Sequence, residues 1–154
     1  MVDTPNFDIQ QSHRHFSAHC FNQTWEYIEK DGNRSTEENL SMLHTAIASL
    51  WHWTQRDDVR PENLSVGYWQ VSRVYCLLKQ PHNARTYGLQ ALKYAQGLSA
   101  FYKGYAYEAL ARAEMIVNNR VIMKTHFEKA HEMLEQIEDE EDRQLLAKDL
   151  ESIV

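Results

Sequence analysis

Two stretches of sequence decide the fold: YWQVSRVY at residues 68–75 and YEALARAE at residues 107–114. Each begins with an aromatic residue, has an aliphatic residue three positions later, and has a small residue directly after that. Three positions therefore recur after 39 residues: Tyr68 as Tyr107, Val71 as Leu110, and Ser72 as Ala111. A repeat of this length indicates one supersecondary unit that occurs at least twice.

The residues downstream of each stretch repeat at the same offset. The matching positions are Ala84 and Met123, Gly88 and Phe127, and Ala91 and Ala130. In both copies the small residue of the first segment precedes that of the second by 19 residues (Ser72 to Ala91, Ala111 to Ala130). Small side chains on two antiparallel helices let the backbones approach closely. The pattern thus predicts a helical hairpin in each copy.

Helical periodicity extends over nearly the whole chain and predicts six long helices and a short one. A capping box at Ser35 and Glu38 begins the second helix, and the pair of asparagines at 118–119 makes a turn. Apolar stripes on both sides of the second helix, one including Leu40 and Trp51, predict that it is buried on two sides. Glycine (5) and proline (3) are scarce, which disfavours an all-β fold. We therefore predict an all-α chain.

Together these positions resemble the tetratricopeptide repeat (TPR), whose first helix carries an aromatic, an aliphatic and a small residue. Gly88 departs from the aromatic position of the motif, and Met123 departs from its first alanine. The period of 39 residues also exceeds the usual period of about 34. The resemblance implies a right-handed superhelix of three antiparallel helical hairpins plus a short C-terminal capping helix.

This resemblance predicts a single TPR-like domain over residues 1–154. Its parts are a degenerate hairpin at 8–56, repeats at 62–97 and 99–137, and a capping helix at 139–152. The chain is also similar to a group of small bacterial TPR-like proteins in its sequence around Trp53, at residues 69–75 and at residues 107–113. That likeness implies no particular activity.

The resemblance also implies where a partner would bind, because TPR-like repeats generally use the concave surface that their first helices line. The residues expected on this surface are Trp69, Arg73 and Cys76 from one repeat, Tyr105, Glu108, Arg112 and Met115 from the next, and His19, Asn22, Gln23 and Glu26 from the first helix. An indole beside guanidinium groups and a carboxylate suits a peptide or an acidic small ligand. Alternatively, Arg73 and Glu108 pair within the scaffold and Trp69 belongs to the core.

The sequence also allows a second class of function, in which the chain is a small-molecule- or metal-binding helical protein. Its pocket would involve His52, Trp53, Trp69 and Tyr107, or its ion would lie at His15 and His19, near the N-terminal His13. A zinc site needs a third or fourth ligand beyond two histidines, and a lone histidine in an apolar helix is more often a hydrogen-bonded core residue. We therefore assign no metal and no cofactor.

Composition and charge exclude some classes of binding partner. The net charge of −6 disfavours general nucleic-acid binding, and the uncharged stretches are too polar for a membrane span. Cys20 and Cys76 lack the spacing of a metal or redox motif, which predicts free thiols in a reducing cytoplasm. No catalytic motif is present, so we expect a cytoplasmic scaffold or protein-interaction module and no enzyme. If uncovered, the apolar stripe of Leu145, Leu146, Leu150 and Ile153 would favour a homodimer.

Overall fold

The computed structural model describes residues 4–153, and within them every regular element is an α-helix. The helices are α1 (Ile9–Ile28), α2 (Thr36–Thr54), α3 (Pro61–Leu77), α4 (Pro81–Ala95), α5 (Ala100–Ile116), α6 (Arg120–Leu134) and α7 (Glu140–Glu151). The all-α prediction is confirmed. None of these helices combines the length and the apolar character needed to cross a bilayer.

The chain divides into two compact units, the first reaching to Arg60 and the second beginning at Pro61. Helices α1 and α2 make up the first unit, and α3 to α7 make up the second. The predicted hairpin at 8–56 contains α1 and α2, and the predicted repeats contain α3 with α4 and α5 with α6. Their assembly into one domain stays a prediction.

In the first unit, α1 and α2 pack against each other. The predicted capping box is confirmed, because the Ser35 hydroxyl accepts the backbone N–H of Glu38 while the Glu38 carboxylate accepts that of Ser35. Between the helices, the Ser49 hydroxyl donates to the carbonyl of Ser17 at 2.7 Å. This hydrogen bond is buried, so it satisfies two polar groups that packing of the helices removes from water.

The prediction that α2 is buried on two sides is correct for one of its stripes and wrong for the two ends of the other. Met42 and Ala46 of one stripe and Leu50 of the other are buried, but Leu40 is 52% exposed and Trp51 is 53% exposed. An α-helix in a hairpin buries the face that meets its partner, and here that face is centred on Met42 and Ala46. Helical spacing therefore identified the stripes but not that the ends of one of them, Leu40 and Trp51, remain exposed.

In the second unit, α3 packs on α4, α4 on α5, and α5 on α6. Small residues permit these close contacts, as the sequence predicts. The Ser72 hydroxyl donates to the carbonyl of Ala84 at 2.8 Å, and a Cβ added to Gly88 would lie only 3.0 Å from Cδ2 of Leu110. The missing aromatic residue at Gly88 thus has a local cause, since Leu110 occupies the space beside it.

The turns within the two hairpins are equivalent. Lys79 after α3 and Asn118 after α5 both adopt positive φ, 57° and 55°, and their positions differ by the repeat length of 39. The next residue of each turn donates its backbone N–H back into the preceding helix, Gln80 to Tyr75 and Asn119 to Glu114. The 39-residue repeat of the sequence is therefore also a repeat of local backbone conformation.

Helix α7 packs on α5 and α6. Leu146, Leu150 and Ile153 join a core cluster with Ala111 and Ala130, whereas Leu145 remains 53% exposed. Most of the apolar stripe that would favour a homodimer is therefore covered by other residues of the same unit. Dimerisation itself stays a prediction, and Leu145 alone of those four residues is open to a second copy.

Candidate functional site

The candidate site lies where α3 and α5 meet. Trp69 and Arg73 are four positions apart on α3, and Glu108 and Arg112 are four positions apart on α5, so each pair lies on one face of its helix. The two helices pack against each other and bring these faces together. We call these four residues and Tyr105 the α3/α5 cluster.

Glu108 is the centre of the cluster and is fully buried, with 0% exposure. One carboxylate oxygen, Oε2, accepts a hydrogen bond from Nε1 of Trp69 at 2.8 Å. The other, Oε1, accepts hydrogen bonds from Nε of Arg112 at 2.6 Å and from Nη1 of Arg73 at 3.3 Å. Arg73 and Glu108 thus pair within the scaffold, and Trp69 is only 8% exposed, the arrangement that the sequence offered as the alternative to a ligand contact.

The cluster is connected to the C-terminal helix. The Tyr105 hydroxyl donates to Oδ2 of Asp149 at 2.8 Å, and burial, followed by the charge of Asp149, raises the pKa of Tyr105. Nη2 of Arg112 donates to the backbone carbonyl of Asp149 at 3.0 Å and to the Ser152 hydroxyl at 2.9 Å. A cation at a helix C-terminus is electrostatically favourable, so Arg112 stabilises both Glu108 and the end of α7.

Arg73 differs from Arg112 because it retains unused hydrogen-bonding capacity. Its Nε is buried and has no hydrogen-bond partner among residues 4–153, while its side chain is 19% exposed. Burial, followed by the charge of Arg112, lowers the pKa of Arg73. Two guanidinium groups share the Glu108 carboxylate, and Arg112 makes the shorter contact. Arg73 is therefore the cation in the cluster that is best placed to accept a further anion.

Two other residues expected on the binding surface are packed into the core. Cys76 is 4% exposed and clusters with Ala84 and Ala113, and burial raises the pKa of its thiol to about 12. Met115 is partly buried against the core cluster of α5, α6 and α7. These side chains contribute to packing and present little surface to a ligand.

The remaining predicted contacts lie on α1, in the first unit. His19, Asn22 and Glu26 are exposed, and Gln23 is partly buried. The His15 and His19 rings stack with centroids 5.4 Å apart. Within residues 4–153, the structure contains no group of three or more His, Cys, Asp or Glu side chains arranged to hold a metal ion.

The three pocket candidates have different neighbours. His52 forms a hydrogen bond with His13, with 2.8 Å between their Nδ1 atoms. The guanidinium of Arg56 lies 4.0 Å from the ring centroid of Trp53, the geometry of a cation–π contact. Tyr107 belongs to the second unit, where its ring stacks on that of His126 at 6.3 Å.

Sequence reasoning missed two features. The sequence does not single out Asp149, since nothing local distinguishes it among the acidic residues of the C-terminal region. The sequence marks His13 only as one of several N-terminal histidines, and its contact with His52, 39 residues away, is seen only in the structure. The repeat relates the first helices of successive hairpins, whereas His13 and His52 lie on the two helices of one hairpin, so the repeat length does not predict their contact.

Comparison with known proteins finds no family model, no curated protein and no solved structure that matches the chain. The geometry of the helices and of the α3/α5 cluster is therefore the basis for a functional conclusion.

Proposed function

We propose that this protein is a TPR-like interaction module that binds an acidic peptide segment of a partner protein, with Arg73 as the principal contact. The proposal includes the right-handed superhelix and the cytoplasmic setting that the sequence predicts. It assigns no catalytic step to the chain.

The repeated architecture of the second unit supports the TPR-like part of this proposal. Helices α3 and α4 and helices α5 and α6 form two hairpins with equivalent left-handed turns at Lys79 and Asn118. Small residues lie between the helices in both hairpins, as in the Ser72–Ala84 hydrogen bond. Helix α7 packs beside α5 and α6, as a terminal helix of a repeat array does.

The binding part of the proposal is supported by the Nε of Arg73, which is buried and unpartnered within the part of the chain that the structure describes, in a side chain that still reaches solvent. A buried donor without a partner is energetically unfavourable, at about 1–3 kcal/mol. An incoming carboxylate would satisfy donors of Arg73 that Glu108 leaves unused. Arginine suits this contact because its planar donors match a carboxylate.

The test measures binding by fluorescence anisotropy. Labelled peptides rich in aspartate and glutamate are compared with the same peptides in which every acid is replaced by its amide. We expect the full chain to bind acidic peptides in preference to their amide counterparts, and to bind less tightly as salt is raised. Arg73→Gln should weaken the binding about tenfold or more, since a hydrogen bond to a charged group is worth about 1.5–3 kcal/mol.

Arg143→Gln is the matched control, because Arg143 is an exposed arginine on α7 that pairs with Glu140. Circular dichroism verifies that both variants remain helical. Equal affinity for acidic and amide peptides, or equal loss of affinity in both arginine variants, would contradict the proposal. Trp69 is a poorer probe than Arg73, since its indole bonds to buried Glu108 and its replacement would perturb the core.

A further inference from the structure

The first unit contains a contact between two histidines that the proposed function does not use. His13 on α1 and His52 on α2 hydrogen-bond through their Nδ1 atoms at 2.8 Å, in a partly buried position. Both Nδ1 atoms cannot donate at once, so one ring supplies the proton and the other supplies a lone pair. We call these two residues the histidine pair.

Two aromatic rings, those of Trp51 and Phe16, lie beside the histidine pair and partly cover it. The Trp51 ring lies 5.4 Å from that of His13 and 4.9 Å from that of His52, and the Phe16 ring lies 5.5 Å from that of His52. These rings reduce the access of water to the imidazoles. In such surroundings a second positive charge is poorly solvated.

The pair is one of a row of polar contacts that joins the first half of α1 to the end of α2. Gln10 on α1 donates to the carbonyl of Gln55 at 3.1 Å and accepts the backbone N–H of Asp57 at 3.0 Å. Deeper in the hairpin, Ser49 donates to the Ser17 carbonyl. Loss of the histidine contact would therefore remove a contact from the middle of this series and weaken the attachment of α1 to α2.

Four charged side chains at this end of the hairpin pair with one another. Arg14 pairs with Asp57 at 2.6 Å and lies 3.7 Å from Asp58, and Arg56 pairs with Asp58 at 2.7 Å. Burial, followed by the charge of His13, lowers the pKa of His52. Neither cause stabilises an imidazolium at His52.

Protonation affects the pair in two steps. The first proton can bind Nε2 of the donor ring, which leaves the Nδ1 contact intact and makes it charge-assisted. The second proton has to bind Nδ1 of the acceptor ring, where it removes the lone pair and places two cations in contact. The first protonation is therefore compatible with the folded hairpin, whereas the second protonation destabilises it.

We propose that the histidine pair is an acid-sensitive latch that holds α1 on α2 and is released when the second imidazole is protonated. The release is a conformational response to acidification within the first unit. It does not depend on what α3 and α5 bind.

The sign of the pH dependence follows from the direction of the pKa shift. A histidine whose pKa is lowered by folding binds its proton more readily in the unfolded chain. The latch is therefore fully formed above the unfolded pKa of about 6.5. The first protonation keeps the contact, and the stabilisation is lost as the pH falls through the lowered pKa of the second protonation.

Hydrogen exchange on the full chain tests the latch at pH values between 8 and 5, with α3 and α5 as internal references. We expect protection factors of amides in the first half of α1 to fall with acid, about tenfold for each unit by which folding lowers the histidine pKa. His52→Asn should remove this dependence and retain the helix contact, because the asparagine amide occupies the Nδ1 position without titrating.

His44→Asn is the matched control, since His44 is an exposed histidine on the same helix, and it should retain the acid response. His13→Asn tests the latch from the opposite helix if His52→Asn fails to fold. Nuclear magnetic resonance of the imidazole nitrogens should also show one Nδ1-protonated ring above pH 7. An acid response that persists in both asparagine variants, or two rings that titrate independently at ordinary values, would overturn the proposal.

Discussion

Replacing Glu108 with glutamine is the most demanding test of the α3/α5 cluster. The carboxylate accepts hydrogen bonds from Trp69, Arg73 and Arg112, and it is fully buried. Glutamine has nearly the same shape but carries no charge and has one oxygen instead of two. The substitution therefore removes electrostatic and hydrogen-bonding contributions without leaving a cavity.

The magnitude follows from these contacts. If the amide nitrogen replaces Oε1, it opposes the donors of both arginines, and if it replaces Oε2, it opposes the indole N–H of Trp69. At least one charge-assisted hydrogen bond, worth about 1.5–3 kcal/mol, is lost in either orientation. Two guanidinium groups also lose the charge between them, and breaking a buried ion pair costs about 3–5 kcal/mol. We expect Glu108→Gln to lower the free energy of unfolding by about 3–5 kcal/mol.

Urea unfolding followed by circular dichroism measures this loss, and hydrogen exchange localises it to α3 and α5. Glu128→Gln is the control, because Glu128 lies 61% exposed on α6, 3.7 Å from Lys124, and exposed pairs contribute about 0–1 kcal/mol. If Glu108→Gln costs no more than Glu128→Gln, the cluster does not stabilise the second unit, and our account of Arg73 fails with it.

Two further predictions concern packing and thiol chemistry. Gly104→Ala should destabilise the chain by about 1–3 kcal/mol through overpacking, since the new Cβ would lie 2.5 Å from Cδ2 of Leu146. Gly97→Ala is the control, because its new Cβ would meet no atom within 4 Å. Urea unfolding should show that Gly97→Ala is nearly neutral. Cys76, buried and with its pKa raised to about 12, should react with a disulfide reagent at pH 8 only upon unfolding, and Cys20, which is partly exposed, should react first. Equal reaction rates of the two native thiols would contradict the burial of Cys76.

Much of the secondary structure could be predicted because its signals are local. The capping box at Ser35 involves residues three positions apart, and Pro81 begins α4 as its first residue. Ser99 is likewise the residue before α5, although its side chain makes no capping hydrogen bond. Local rules thus identified the boundaries well and the individual contacts less well.

The candidate site could be predicted only in part. The repeat alignment places Trp69 and Glu108 at equivalent positions on α3 and α5, and the structure brings them into contact. The contacts of Arg112 with Asp149 and Ser152 could not be predicted, because they depend on how α7 lies against α5.

The sequence by itself determined that the chain is helical, where its turns fall, and which small residues allow the helices of each hairpin to approach. These properties arise from interactions among residues a few positions apart or from the repeat itself. Only the tertiary structure decided that Glu108 is a buried partner of two arginines, that Trp51 is exposed, and that His13 meets His52. The physical reason is that a helical pattern defines faces, whereas burial and protonation depend on what each face meets after packing.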